Sequence, residues 1–216
     1  MFTYYKTYKE LGKKINNNGF EYVDLGLPSG ILWATMNVGA SKPSDYGQYF
    51  QWGDTIGYAV NQVGTGDGQK KFASDWSDYK WGVSPNFTKY TTKGEALKLE
   101  DDAAHVNMGG DWHMPTPEQI QELLENTTNT WTTQGRVNGR LFTSKKDESK
   151  SIFIPAAGYA EDGSFHNSED LGGVWSSMLF TSNDYDGQFL LFNSGNAGFA
   201  SGGRRFGGFS VRGVLG

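Results

Sequence analysis

Tyr22-Val23-Asp24-Leu25-Gly26-Leu27-Pro28-Ser29-Gly30-Ile31-Leu32-Trp33-Ala34-Thr35 is the stretch whose reading decides the fold. Tyr22–Leu25 and Ile31–Thr35 are apolar runs of strand length, and Pro28-Ser29-Gly30 between them is a turn sequence. The block predicts two short strands joined by a turn. Nothing in it has the three-to-four-residue period of a helix.

Upstream, Thr3 to Ile15 places Tyr4, Tyr8, Leu11 and Ile15 on one face at helical spacing, and Asn16-Asn17-Asn18-Gly19 forms a stop signal. Residues 1–20 therefore read as a helical leader, either an attachment or oligomerisation element or a helix lying on the domain. Residues 21–216 read as one domain. Downstream, no period holds from Asn37 to Leu99. Tyr46, Tyr49, Phe50, Trp52, Trp76, Tyr79, Trp81, Phe87 and Tyr90 are scattered among Gly, Asp and Ser. A loop of this length needs anchors in a compact domain, so the region reads as irregular but packed, with Gly64–Gly68 as its tip.

The clearest helix begins at Thr116, where Thr116 caps, Pro117 suits the first helical position and Gln119 completes a capping box. Ile120, Leu123 and Leu124 form its buried stripe. A second short helix is expected near Asp101-Asp102, whose carboxylates favour a helix N-terminus. Strand-like runs follow at Arg140–Thr143, Ser151–Ile154, Val174–Ser177, Gln188–Phe192 and Phe209–Val214. In the fourth, Leu190 and Phe192 on the core side would point Phe189 and Leu191 the other way, toward a second layer or a ligand. Trp33, Trp112 and Trp175 are expected in the core.

Composition narrows the class. Aromatics make up 15% of the chain and Gly contributes 30 residues, a mixture that opposes disorder and suits a turn-rich β or α+β fold. The net charge of −5 has the wrong sign for a general nucleic-acid binder. No apolar run reaches the roughly 18 residues of a membrane span, and the N-terminus lacks the apolar core of a signal peptide. Cysteine is absent, which excludes disulfides, Cys-ligated zinc and thiol catalysis. Gly64–Lys71 has the glycines of a phosphate loop in the wrong order, and no HExxH, GxSxG or EF-hand pattern occurs. His105, His113 and His166 are far apart in sequence. Asp184 with Asp186, and Glu100-Asp101-Asp102, read as a solvated loop and a helix start. No catalytic residue, metal or cofactor is expected.

Several blocks together carry a resemblance. The opening stretch is followed by Tyr46-Gly47, Trp52-Gly53, Asp101-Asp102-Ala103-Ala104-His105, Trp112-His113-Met114-Pro115-Thr116, Pro155-Ala156-Ala157-Gly158 and Trp175-Ser176-Ser177. Arg205-Phe206-Gly207-Gly208-Phe209-Ser210-Val211-Arg212 closes the series. From about Glu21 to Val214 the chain resembles the Fibrobacter succinogenes major paralogous domain, widespread in gut Bacteroidetes and their phages. The resemblance implies an α+β domain of C-type lectin-like fold, of the formylglycine-generating-enzyme type, with two helices, small twisted antiparallel sheets and long packed loops. The catalytic cysteines of those enzymes have no counterpart here. The EPN, QPD and WND tripeptides of calcium-dependent lectins are also missing. Neither oxidase activity, a calcium site nor a sugar specificity is implied.

Several proteins of this fold are variable proteins of diversity-generating retroelements, in which adenines of template codons, mostly AAC, are mutated. A codon ending in T or C cannot encode Met, Trp, Gln, Lys or Glu. None of these five occurs from Phe189 to Gly216, although all are frequent upstream. The expected function is therefore non-enzymatic ligand binding, with residues 178–207 as a variable region and variable positions falling around Met178 and Gln188. The recognition surface is expected to comprise Asp184, Tyr185, Asp186, Phe189, Leu191, Phe199, Ala200, Arg204 and Phe206, with Phe199 in a loop. A protein or glycan ligand on a cell or phage surface is the implied partner. The alternative is a fixed carbohydrate-binding or adhesin module of the bacterial envelope.

Overall fold

The computed structural model describes residues 13–15 and 18–216. Strands β1 (Lys13–Ile15), β2 (Glu21–Val23), β3 (Leu32–Asn37), β17 (Arg212–Leu215) and β7 (Trp112–His113) form one antiparallel sheet in that order. The opening block folds as its sequence predicts: Tyr22 pairs with Ala34 and Val23 with Trp33, and Gly30 N–H closes the turn on the Leu27 carbonyl at 3.0 Å. The chain end enters between β3 and β7, which ties the last residues to the first strands.

The expected N-terminal helix is corrected where it can be seen. Residues 3–12 lie outside the described residues, but Lys13–Ile15 is a strand whose backbone pairs with Glu21–Val23. An open strand edge offers a hydrogen-bond ladder that outweighs weak local helix preference.

The second large sheet has the order β15 (Ala197–Arg204), β14 (Asp186–Asn193), β13 (Leu171–Leu179), β16 (Phe209–Ser210) and β4 (Tyr49–Phe50). β13 and β16 run parallel, and the other pairs are antiparallel. A three-stranded sheet of β10 (Ser151–Pro155), β9 (Val137–Ser144) and β8 (Thr127–Gln134) stands beside them. Two small hairpins complete the set: β5 (Gly82–Val83) with β6 (Asn86–Phe87), and β11 (Tyr159–Glu161) with β12 (Ser164–His166). Two α-helices occur among the described residues, α1 (Ala103–Met108) and α2 (Pro117–Asn126). The architecture is mostly small antiparallel sheets with two helices.

Both helices start where their caps predict. The Asp102 carboxylate accepts the His105 N–H at 2.9 Å. Thr116 Oγ1 accepts from Gln119 N–H at 3.3 Å while the Gln119 side chain accepts from Thr116 N–H at 2.8 Å. Ile120 and Leu123 are fully buried beneath α2.

The second sheet is covered on both faces. Val174, Leu190 and Phe192 join a core with Trp33, Phe142 and Ile154, while Trp175, Leu179 and Phe189 join another with Phe50, Trp52 and Trp112. Trp33, Trp112 and Trp175 are fully buried, as expected. Glycine makes the ring packing possible. An added Cβ would lie 1.9 Å from the Phe192 ring at Gly172 and 2.4 Å from the Phe209 ring at Gly173.

The irregular region from Asn37 to Leu99 is held by aromatic polar tips on distant carbonyls. Trp52 Nε1–H donates to Ser176 O at 3.0 Å, and Trp175 Nε1–H returns a bond to Phe50 O at 2.8 Å. Tyr49 Oη–H reaches Ala157 O at 2.7 Å, and Tyr79 Oη–H reaches Trp52 O at 2.8 Å. Each ring thus buries apolar area and satisfies a main-chain acceptor in one step.

Gly173→Ala is expected to cost roughly 1–3 kcal/mol as an overpacked position. Gly198 on β15 has no atom within 4 Å of an added Cβ, so Gly198→Ala should stay within about 0.5 kcal/mol. Urea unfolding of the two variants checks this, and equal damage at both positions would refute the packing account.

Candidate functional site

The nine residues expected to form one surface divide into three environments. Phe189 is 7% exposed and lies against Trp175 and Phe209, with ring centroids 5.7 and 5.0 Å away. Phe206 is 5% exposed and packs with Tyr79, Phe87 and the half-buried Trp76. Asp186 is 6% exposed and accepts from Arg204 Nη1 at 3.1 Å and from Asn183 Nδ2 at 3.0 Å. These three belong to the interior, which corrects the expected surface. The alternation along β14 is real, but the side opposite Leu190 and Phe192 meets a second covering layer.

The remaining six are half-buried or exposed. Arg204 stretches its guanidinium over the Tyr185 ring, 4.4 Å from the centroid, and keeps half of its side chain in solvent. Asp184 stands next to Tyr185, and its carbonyl accepts from Arg205 Nη1 at 2.7 Å. Phe199 and Ala200 are not in a loop. Both belong to β15, where Phe199 pairs with Leu190 and Ala200 with Phe189. Successive strand residues point to opposite faces, so Phe199 packs toward the first core while Ala200 and Leu191 pack toward the second.

β15 is the edge of its sheet, and its near face opens on a groove of about 550 Å³. Phe199, Pro28 and Pro117 supply its apolar lining, and Glu118, Glu122 and Glu125 of α2 its carboxylates. Glu122 is held in place: its two oxygens accept from Ser29 N–H at 2.7 Å and Ser29 Oγ–H at 2.6 Å. The groove suits a ligand with apolar area and hydrogen-bond donors or positive charge. Sequence reasoning found Phe199 but missed its neighbours. The one available signal was the spacing of Glu118, Glu122 and Glu125, which shares a helix face but reads as ordinary solvated surface.

Among the described residues, no group of three or more His, Cys, Asp or Glu is arranged to hold a metal ion. The histidines have different partners. His105 Nδ1 lies 3.1 Å from Trp112 O, and His166 stacks on Tyr159 with centroids 5.0 Å apart. The Nδ1 of His113 is buried without a hydrogen-bond partner. Burial pushes this imidazole below its ordinary value of 6.5, outweighing the opposite pull of Asp102. No helix among the described residues is long and apolar enough to cross a membrane. Comparison with known proteins adds no relative: no family model matches the chain, and neither curated proteins nor solved structures yield a match.

Phe189→Ser and Phe206→Ser are each expected to cost roughly 3–5 kcal/mol as buried-ring truncations, while Tyr185→Ser and Phe199→Ser should cost well under half of that. Equal losses in all four, read by urea unfolding, would place Tyr185 and Phe199 in the core. A pH dependence follows from His113. Its folded-state value is depressed, so the unfolded chain binds the proton more readily and stability is lost as pH falls below about 6.5. His113→Phe should flatten the change in unfolding free energy between about pH 7.5 and about pH 5.5. An unchanged slope would assign that loss to other groups.

Proposed function

We propose that the chain is a non-enzymatic ligand-binding display protein of C-type lectin-like fold. Its recognition surface lies on the edge strand β15 and the adjoining groove. Residues 178–207 are the segment that a diversity-generating retroelement varies, and the partner is a protein or glycan on a cell or phage surface. One observation carries this reading: room for side chains is distributed unevenly along the sheet. Glycines of the inner strands are covered by rings, as is Gly203 at the end of β15, whereas an added Cβ at Gly198 near the start of that edge strand meets nothing within 4 Å. Elsewhere on the same strand, Phe199 is half-buried and Arg204 exposed, side chains of types that often dominate binding energy. The absence of Met, Trp, Gln, Lys and Glu after Gln188 supports the same reading. Substitutions on such an edge alter what is displayed and leave the frame intact.

A library randomised at Gly198, Phe199, Ala200 and Arg204, displayed on phage and selected against a panel of purified proteins, tests this. Folded binders with near-parental melting temperatures are the expected result. Library members that mostly fail to fold would overturn the assignment. Sequencing the gene's neighbourhood tests the diversification separately, through a reverse transcriptase gene and a near-repeat of the last coding bases. Their absence would favour a fixed carbohydrate-binding or adhesin module.

A further inference from the structure

Among the described residues, β8 is the outer strand of its three-stranded sheet, with β9 as its one strand neighbour. Its sequence, Thr127-Thr128-Asn129-Thr130-Trp131-Thr132-Thr133-Gln134, contains no charge, no Pro and no Gly in a chain that is 20% charged. The pairing with β9 runs from Thr127↔Ser144 to Gln134↔Val137 without a register irregularity. Natural edge strands are guarded by charges, prolines, bulges or shortness. Its own residues supply none of those guards; the nearest charge is Arg140 of β9, which donates to Asn129.

The phase of the ladder follows from the hairpin. Gly135 and Arg136, both at positive φ, join β8 to β9 as a two-residue turn. Gln134 and Val137 then form a hydrogen-bonded pair, and so, alternating, do Thr132, Thr130 and Thr128 with their partners. The N–H and C=O groups of Asn129, Trp131 and Thr133 therefore point away from β9. Arg140 Nη1 donates to the Asn129 carbonyl at 3.1 Å, which leaves that oxygen a second lone pair.

We propose that β8 pairs with the β8 of a second copy of this chain, antiparallel about a two-fold axis at Thr130, joining two three-stranded sheets into one. The sequence itself argues for this occupant, because it is nearly palindromic about Thr130. In that register Thr127 stands opposite Thr133, Thr128 opposite Thr132, Asn129 opposite Trp131 and Thr130 opposite its own copy. A two-fold interface requires such self-complementarity. The outward amides of one strand meet the outward carbonyls of the other, and β8 itself carries no charge to oppose its copy. Thr128 and Thr130 are exposed and Thr132 half-buried on the solvent face, so that face would carry a row of Thr–Thr pairs.

The absence of cysteine gives a direct test. At a non-hydrogen-bonded antiparallel pair the Cα atoms are about 4.5 Å apart, within disulfide range. Thr130→Cys should therefore form an intermolecular disulfide under mild oxidation far faster than Ser182→Cys at an exposed control position. Sedimentation equilibrium of the unmodified chain should show a concentration-dependent dimer. Thr130→Lys, which opposes two like charges, should weaken it roughly tenfold at unchanged melting temperature. A chain that stays monomeric at its highest soluble concentration overturns the proposal and leaves the edge to a strand of another protein. A dimer in which Thr130→Cys crosslinks no faster than the control overturns it equally.

Discussion

The arrangement depends on two arginines that are buried without a carboxylate. Arg205 and Arg212 are both fully inaccessible. Arg205 donates to Tyr79 Oη at 2.8 Å and to the carbonyls of Lys89, Tyr90 and Asp184 at 3.1, 3.0 and 2.7 Å. Its guanidinium also lies 4.2 Å from the Phe87 ring centroid. Arg212 donates to Asn37 Oδ1 at 2.9 Å and to the carbonyls of Ala34 and Phe153 at 2.9 and 3.1 Å. Burial pushes Arg212 down to about 9, so it remains charged at neutral pH. An isolated buried charge costs several kcal/mol, and here carbonyl dipoles and ring faces replace the water. Irregular backbone has no ladder to absorb its carbonyls, and a five-donor fork can satisfy several at once. Lysine, with a single ammonium, could not span Tyr79, Lys89, Tyr90 and Asp184 together. The Arg205 clip lets a long non-repetitive segment pack against a sheet far away in sequence, while the Arg212 clip ties β17 to β3 and β10.

A second constraint acts on the sheets. Rings from β13, β14, β16 and the irregular region need flat ground, and glycines in the strands provide it. Gly172 accommodates Phe192, Gly173 accommodates Phe209, and Gly187 and Gly203 accommodate Trp175. The abundance of Gly and the abundance of aromatics are thus one feature seen from two sides. It also divides the glycines into those that a methyl group would disrupt and those, such as Gly198, that face open space. Composition cannot make that division, because it depends on which ring arrives from elsewhere.

Legibility in the sequence follows the same line. The α2 capping box, the Asp102 cap, the turn at Pro28-Ser29-Gly30 and the strand period of Gln188–Phe192 are local signals, and all appear where the residues place them. Ala197–Arg204 was not legible as a strand, since its Ala and Gly residues have little strand preference. Its extended form comes from pairing with β14. Phe189 and Phe206 were misplaced for a related reason. Their burial is decided by Phe209, Trp76 and Phe87, and no period in one segment reports rings contributed by another. Of the candidate site, Tyr185 and Phe199 are half-buried and Arg204 is exposed. The groove beside Phe199 was hidden because the Ser29–Glu122 bonds that shape it join residues 93 positions apart.

Buried clips and open edges are connected. Arg205 sits one residue beyond the end of β15 and anchors that strand to the irregular region, so the strand's exit is fixed from the interior and not from its own side chains. Arg140 plays a comparable part for β8: from β9 it donates to Asn193 O at 2.9 Å and to the Asn129 carbonyl, tying β8 to the turn that leads into β15. Strands held in this way need little from their outward residues to stay in register. Such outward residues are free to be small, uncharged or variable. An edge whose position is set by someone else's hydrogen bonds is available for recognition, because changing what it displays does not change where it lies.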